Sequence, residues 1–314
     1  MSAQPRILNA SDIDDLVGRI DVRGVLEDMF RSLADGQAVQ PPQTVSLFPG
    51  NNGDFITYLG VMAGQNVFGA KLSPYIPGEG KALVTAWTLL MSMESGVPLL
   101  LCDSMRLTTE RTAATSVIAA DHLAGEEAGV LTIIGTGAVG LAHLRYAQAI
   151  RPWSEIRLCS PSAAGKPDLP KRTEQGTPIV IGTDANAAAA GADVVMLCTS
   201  AGKPVIDVTG LKPGVVVTSI STNVPNAHEV DPAALNGLDV YCDYRATTPA
   251  SAGEMKLAAA AGTWSAEALR GDLPELVAGR AAAPSGDRPV FFRSIGLGLE
   301  DVAAALAVLR GLED

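Results

Sequence analysis

Val130-Leu131-Thr132-Ile133-Ile134-Gly135-Thr136-Gly137-Ala138-Val139-Gly140 reads as an apolar strand, a glycine turn and the opening of a helix. Each glycine has a task in such a turn. Gly135 permits the tight bend, Gly137 lets a pyrophosphate approach the backbone, and Gly140 lets helix and strand pack closely. The phosphates then meet free N–H groups at the helix start, around Thr136, Ala138 and Val139. A glycine turn alone is weak evidence, so the surroundings decide. Strand-like runs recur at Val130–Ile134, Glu155–Cys159, Pro178–Ile181, Asp193–Cys198, Val215–Ile220 and Leu238–Cys242, with helical stretches such as Ala138–Ile150 and Ala185–Ala190 between them. Near-continuous apolar strands separated by crossovers indicate a parallel sheet covered on both faces. The expected fold is α/β: a doubly wound parallel sheet of the Rossmann type that binds a dinucleotide.

The second strand bears on which dinucleotide. An acid about 20 residues beyond the turn would hydrogen-bond the ribose of NAD. Here Ser160, Ser162 and Lys166 follow the strand, and the first acid is Asp168. Hydroxyls and a lysine suit a 2′-phosphate, so the sequence favours NADP and leaves NAD open. Thr199 and Ser200 end the fourth strand, at the edge where a cofactor lies. A simple capping turn is the alternative there.

Upstream, the pattern mixes helix and strand. Asp21 caps a predicted helix whose apolar stripe is Val22, Val25, Leu26, Met29, Phe30 and Leu33. Strands are expected at Thr44–Phe48, Phe55–Met62, Val67–Leu72, Ala82–Met91 and Pro98–Leu101, then a helix from Thr108 or Thr109 to Leu123. A last helix spans Leu299–Leu309, with Glu300 and Asp301 in its first turn, where the helix dipole favours acids. The expected division is residues 1–115, a mixed α+β substrate-binding and dimerisation domain; 116–290, the dinucleotide-binding domain; and 291–314, a segment returning to the first.

Composition limits the function. The 314 residues are 47 % hydrophobic and 18 % charged, enough apolar material for a core. A net charge of -11 argues against a nucleic-acid binder, which needs a basic face. No run approaches the ~18 apolar residues of a membrane span, and the first residues lack a signal-peptide core. A soluble cytoplasmic protein without nucleic-acid or membrane partners is expected. Cys102, Cys159, Cys198 and Cys242 lie far apart in apolar stretches, so they read as buried thiols, and no metal site is expected.

Outside the dinucleotide pattern two cations stand out. Lys71 follows Phe68-Gly69-Ala70 in an apolar strand, and Arg111 lies in the predicted helix. Charges in such settings are costly unless paired. A structural salt bridge and an anion site for a substrate both satisfy that need.

These residues carry a family resemblance. Gly69-Ala70-Lys71, Leu107–Ser116, the turn at 135–140, Pro225-Asn226-Ala227-His228-Glu229 and Arg293–Asp301 resemble the ornithine cyclodeaminase/mu-crystallin family, in its order over most of the chain. The resemblance implies NAD(P) chemistry at the α-carbon of an amino or imino acid, and a homodimer built through the first domain. It implies that Lys71 and Arg111 bind the substrate carboxylate, by charge-assisted bonds that orient the α-carbon. It also places Met62 in the pocket, Gln43 where the family often has a third, arginine ligand, Asn223 where the cyclodeaminases have an acid/base aspartate, and Gly60 where they have a pocket glutamate. An amide cannot take a proton. Reduction of an α-imino acid therefore fits better than cyclodeamination, since a protonated imine needs only orientation and a hydride. Thr57, Ser73, Ser221, Thr222 and His228 are candidates for a second polar group of the substrate, and Ser221 also for the cofactor edge. Iminosuccinate giving L-aspartate, cyclic ketimines, and pyruvate with ammonia are the substrates considered. A lyase, an alanine-dehydrogenase-like enzyme and a catalytically silent dinucleotide-binding protein are the alternatives.

Overall fold

A computed structural model describes residues 4–80, 82–221 and 224–312. The chain forms two compact units. One runs to Arg111 and resumes at Gly296; the other is Thr112–Ile295.

The first unit holds strands β1 (Arg6–Leu8), β2 (Ala38–Val39), β3 (Thr44–Leu47), β4 (Asp54–Met62), β5 (Val67–Ile76), β6 (Leu83–Val84), β7 (Trp87–Ser92) and β8 (Pro98–Asp103). Their order is β1-β8-β7-β5-β4-β2, with β3 also paired to β4 and β6 to β5. Every ladder except β1/β8 is antiparallel. Helices Ala10–Val17, Val22–Ala34 and Gly298–Gly311 pack on this sheet or on one another. Asp21 caps the second of them by accepting from the Gly24 N–H, as its sequence predicts.

Strand β4 shows why the layers close. Ile56, Tyr58, Gly60 and Met62 alternate inward and are buried. Gly60 meets the C-terminal helix directly: a Cβ there would lie 2.7 Å from Leu299 Cα. The other sheet face keeps apolar side chains in water, with Ile7, Leu59, Phe68, Leu72, Trp87 and Leu89 all exposed. The ladder registers place these on one side.

The second unit is the doubly wound sheet. Its strands are β9 (Val130–Ile134), β10 (Glu155–Cys159), β11 (Ile179–Gly182), β12 (Val194–Leu197), β13 (Val216–Ser219), β14 (Asp239–Cys242), β15 (Gly271–Asp272) and β16 (Val290–Arg293). The order is β11-β10-β9-β12-β13-β16-β14-β15, all parallel, with the order of connection changing side between β9 and β12. Residues such as Ile134, Val195, Leu197, Val217, Val240 and Phe291 form its core.

The sequence pattern misses two of these strands. Val290–Arg293 sits between β13 and β14, and Gly271–Asp272 adds a short edge. Two further boundaries differ. Helix Met105–Leu123 begins before Thr108, because the Asp103 side chain accepts from the Met105 N–H at 3.0 Å and caps the extra turn. The expected strand Ala82–Met91 is divided into β6 and β7. All four cysteines are buried thiols. Among the described residues no helix is long and apolar enough to cross a membrane, and no cluster of His, Cys, Asp and Glu could hold a metal.

Candidate functional site

The glycine turn has the geometry its sequence requires. Gly135 adopts φ +130°, and a Cβ there would strike the Cys198 carbonyl. A Cβ on Gly140 would strike the Gly135 carbonyl. Gly137 differs: nothing lies within 4 Å of its missing Cβ. It is the N-cap of helix Ala138–Ala147 and offers no side-chain cap. The first N–H groups of that helix therefore keep their capacity for an anion. His143 in the same helix adds no charge: burial pulls it down to about 4, and its Nδ1 pairs with the Val139 carbonyl at 2.8 Å.

Ser160, Ser162 and Lys166 are linked at this edge through Thr136. Thr136 Oγ1 and Ser160 Oγ are 2.7 Å apart, and Ser160 Oγ and Ser162 Oγ 3.4 Å. The Lys166 ammonium donates to Thr136 Oγ1 at 2.8 Å and to its carbonyl at 3.1 Å.

On the other side of the reversal, Thr199 and Ser221 follow β12 and β13. Both are bound to Glu229, a buried carboxylate to which sequence reasoning assigned no role. Ser221 sits at φ +52°, and Ser200 is exposed. His228 is half-buried, with Nδ1 2.7 Å from the Asn226 carbonyl. Thr222 and Asn223 lie outside the described residues.

In the first unit, Lys71 on β5 and Arg111 come together. Lys71 is 1 % exposed and Arg111 4 %. Between them lies Asp301, whose Oδ2 is 2.8 Å and Oδ1 3.0 Å from the Lys71 ammonium, and whose Oδ1 is 3.1 Å from Arg111 Nε. Glu300 completes the cluster, with Oε2 2.9 Å from Arg111 Nη1. The sequence reading of Glu300 and Asp301 as helix-dipole acids is thus incomplete: both are buried counter-ions. Of the two readings of these cations, the structural salt bridge is the one seen here. The Lys71 ammonium also lies 4.1 Å from the centre of the Tyr58 ring and 3.4 Å from Thr108 Oγ1. Desolvation pulls its pKa down to about 8, against the opposing pull of Asp301. Burial acts on Arg111 in the same sense, but Asp301 and Glu300 outweigh it and hold the guanidinium above its ordinary value. Gly296, at φ +78°, lets that guanidinium lie against the backbone.

The ladder register orders the neighbours. Thr44 pairs with Thr57, so the preceding Gln43 falls beside Tyr58, on the Lys71 face. Its Oε1 is buried without a hydrogen-bond partner among the described residues. Met62 is buried on the same face of β4. Ser73 shares that face and donates to the Thr85 carbonyl at 3.2 Å, whereas Thr57 pairs with Leu72 and points to the opposite side.

A sequence model described as "Ornithine cyclodeaminase/mu-crystallin family" matches residues 3–313. The chain is 51 % identical, over 98 % of both lengths, to a protein of Pseudomonas aeruginosa named NAD(P)H-dependent anabolic L-arginine dehydrogenase DauB. Among solved structures, Delta(1)-pyrroline-2-carboxylate reductase of Thermococcus litoralis, in complex with NADH and L-proline, superposes with a TM-score of 0.88 at 24 % identity, covering 98 % of each chain. An archaeal alanine dehydrogenase dimer with bound NAD gives 0.86 at 24 % identity, over 99 % of this chain and 97 % of that one.

Proposed function

The chain belongs to the ornithine cyclodeaminase/mu-crystallin family, and from that premise we propose that it is an NAD(P)H-dependent reductase of an α-imino acid, yielding an L-amino acid. The observation that carries this reading is the buried pair of Lys71 and Arg111 in a chain that also holds a complete dinucleotide turn. The dinucleotide, when bound, supplies the hydride. The net reaction converts a 2-oxo acid and ammonia to an imino acid and water, and the imino acid, NAD(P)H and a proton to the amino acid and NAD(P)+.

The chain's own residues would do the rest. Backbone N–H groups after Gly135 hold the pyrophosphate. Ser160, Ser162 and Lys166 favour a 2′-phosphate. Lys71 and Arg111 together carry more N–H donors than Asp301, Glu300 and Thr108 accept. The surplus can orient a substrate carboxylate, with the amide of Gln43 beside it. A Lys71 pKa of about 8 keeps the ammonium protonated at neutral pH yet able to release a proton to the imine nitrogen. Cyclodeamination is disfavoured by Gly60, where a glutamate would collide with the Leu299 backbone.

Two finer readings accompany this. The identity with an L-arginine dehydrogenase favours a substrate with a cationic side chain. Asp54 supports it. Asp54, Ile56 and Tyr58 alternate onto the Lys71 face of β4, and the C-terminal helix begins at Gly298 over Tyr58 and Leu59, leaving Asp54 beyond its end. The apolar outer sheet face of Leu59, Phe68, Leu72, Trp87 and Leu89 is proposed to bury itself in a homodimer, as large exposed apolar faces usually do. The test is NAD(P)H oxidation with ammonia and the 2-oxo acids of arginine, alanine and aspartate, and with cyclic ketimines. The arginine 2-oxo acid should be preferred, and Asp54→Asn should erase the preference. No turnover with any member of the panel overturns the proposal.

A further inference from the structure

One carboxylate ties together the strand ends on the second half of the doubly wound sheet. Glu229 is 0 % exposed. Its Oε1 accepts from the Thr199 N–H at 2.9 Å and the Thr199 hydroxyl at 2.6 Å. Its Oε2 accepts from the Ser219 hydroxyl at 2.7 Å, the Ile220 N–H at 3.2 Å and the Ser221 N–H at 2.8 Å. All five partners are donors. Only an acceptor-only group satisfies them all, and an ionised carboxylate is such a group. An amide in its place would turn its own N–H toward one of them.

The charge is held by dipoles. Among the described residues no cation lies within salt-bridge reach of Glu229. Arg293, whose guanidinium donates to the Ser219 and Ser294 carbonyls, is committed to Glu254, with Nε 2.7 Å from Oε1. That pair is buried and neutral as a pair.

The sheet order says what this carboxylate faces. A doubly wound sheet binds a dinucleotide across the point where its order reverses, one nucleotide to each half. The glycine turn, Ser160 and Lys166 belong to the β9–β11 half. The nicotinamide nucleotide then falls to the ends of β12 and β13, the segments that Glu229 binds. Its oxidised ring is a cation and its reduced ring is neutral. A fixed negative charge behind those loops stabilises the cation selectively.

We infer that Glu229 is a positioning residue that builds the nicotinamide half of the cofactor site, and that its charge biases the site toward the oxidised ring. This rests on the dinucleotide reading and not on the substrate. The test is equilibrium binding of oxidised dinucleotide, reduced dinucleotide and ADP-ribose, which lacks the nicotinamide, to the wild type, Glu229→Gln and Glu229→Asp. In Glu229→Gln both dinucleotides should bind more weakly, the oxidised form by at least about threefold more than the reduced, with ADP-ribose unchanged. Glu229→Asp withdraws the carboxylate and should shift the ratio the same way by less. Should Glu229→Gln not fold, Glu229→Asp carries the test. Equal losses for all three ligands, or an unchanged ratio of oxidised to reduced affinity, overturn the inference. A wild type that binds ADP-ribose but neither dinucleotide form would instead sink the dinucleotide reading.

Discussion

Asp301 holds the Lys71 ammonium at 2.8 Å across 230 positions of chain, with both side chains almost wholly enclosed. Lys71 and Arg111 are therefore balanced by two buried carboxylates, Asp301 and Glu300. Neutralising one partner strands a charge, which costs about 3–5 kcal/mol. Asp301→Asn should lower unfolding free energy by roughly that amount. Adding Lys71→Met should recover part of it, because the stranded ammonium is gone. Denaturant unfolding of the two variants and the wild type checks this. A loss in Asp301→Asn below about 1 kcal/mol would mean that the pair is screened by water.

Lys71 also sets a pH dependence. Its folded-state pKa is depressed from 10.5 to about 8, chiefly by desolvation. Below about 8 both folded and unfolded chains hold the proton, and the full cost of burying the ammonium is present. Between about 8 and 10.5 the unfolded chain still holds it while the folded one has released it. Stability contributed by this group therefore rises with pH across that window. Lys71→Met should lack the rise. Over the same range kcat/KM for imine reduction should fall, since the proton donor is being lost. A flat profile through pH 9 would remove Lys71 from that role.

These pairings mark the limit of local reading. The turn at 135–140 was legible because strand, glycine spacing and helix are contiguous and each glycine answers a steric need. The Lys71 and Arg111 positions were legible as anomalies, because a charge in an apolar run demands a partner. The partners were not legible. Glu300 and Asp301 satisfy the helix-dipole rule where they stand, so nothing local signals that Asp301 reaches Lys71 and that both reach Arg111. Strand β16 escaped for a similar reason: Val290–Arg293 follows a loose polar loop and is joined by neighbours distant in sequence. Glu229 lay in a quoted motif, but its five hydrogen-bond donors come from the ends of two separate strands.

Lys166 gives a prediction on cofactor choice. Its ammonium is held by Thr136 beside Ser160, where an adenosine 2′-phosphate would add a charge-assisted bond. Such bonds contribute about 1.5–3 kcal/mol. Lys166→Ala should weaken NADP(H) binding roughly ten- to a hundredfold and leave NAD(H) within about twofold. Titration with both reduced dinucleotides decides the matter. An equal effect on the two would place the 2′-phosphate elsewhere.

The three glycines of the turn should separate by their surroundings. Gly135→Ala combines φ +130° with a collision against the Cys198 carbonyl, and should cost at least about 2 kcal/mol of stability. Gly140→Ala collides with the Gly135 carbonyl and should also destabilise. Gly137 has φ -88° and open space around its missing Cβ. Gly137→Ala should therefore fold, losing only about 1 kcal/mol as a poorer N-cap. The new methyl would occupy the space through which a pyrophosphate approaches, so dinucleotide binding should weaken at least about tenfold, a loss of some 1.4 kcal/mol. Thermal unfolding and cofactor titration of the three variants distinguish the two effects. A Gly137→Ala variant that binds the dinucleotide as the wild type does would show that the pyrophosphate does not pass over this turn.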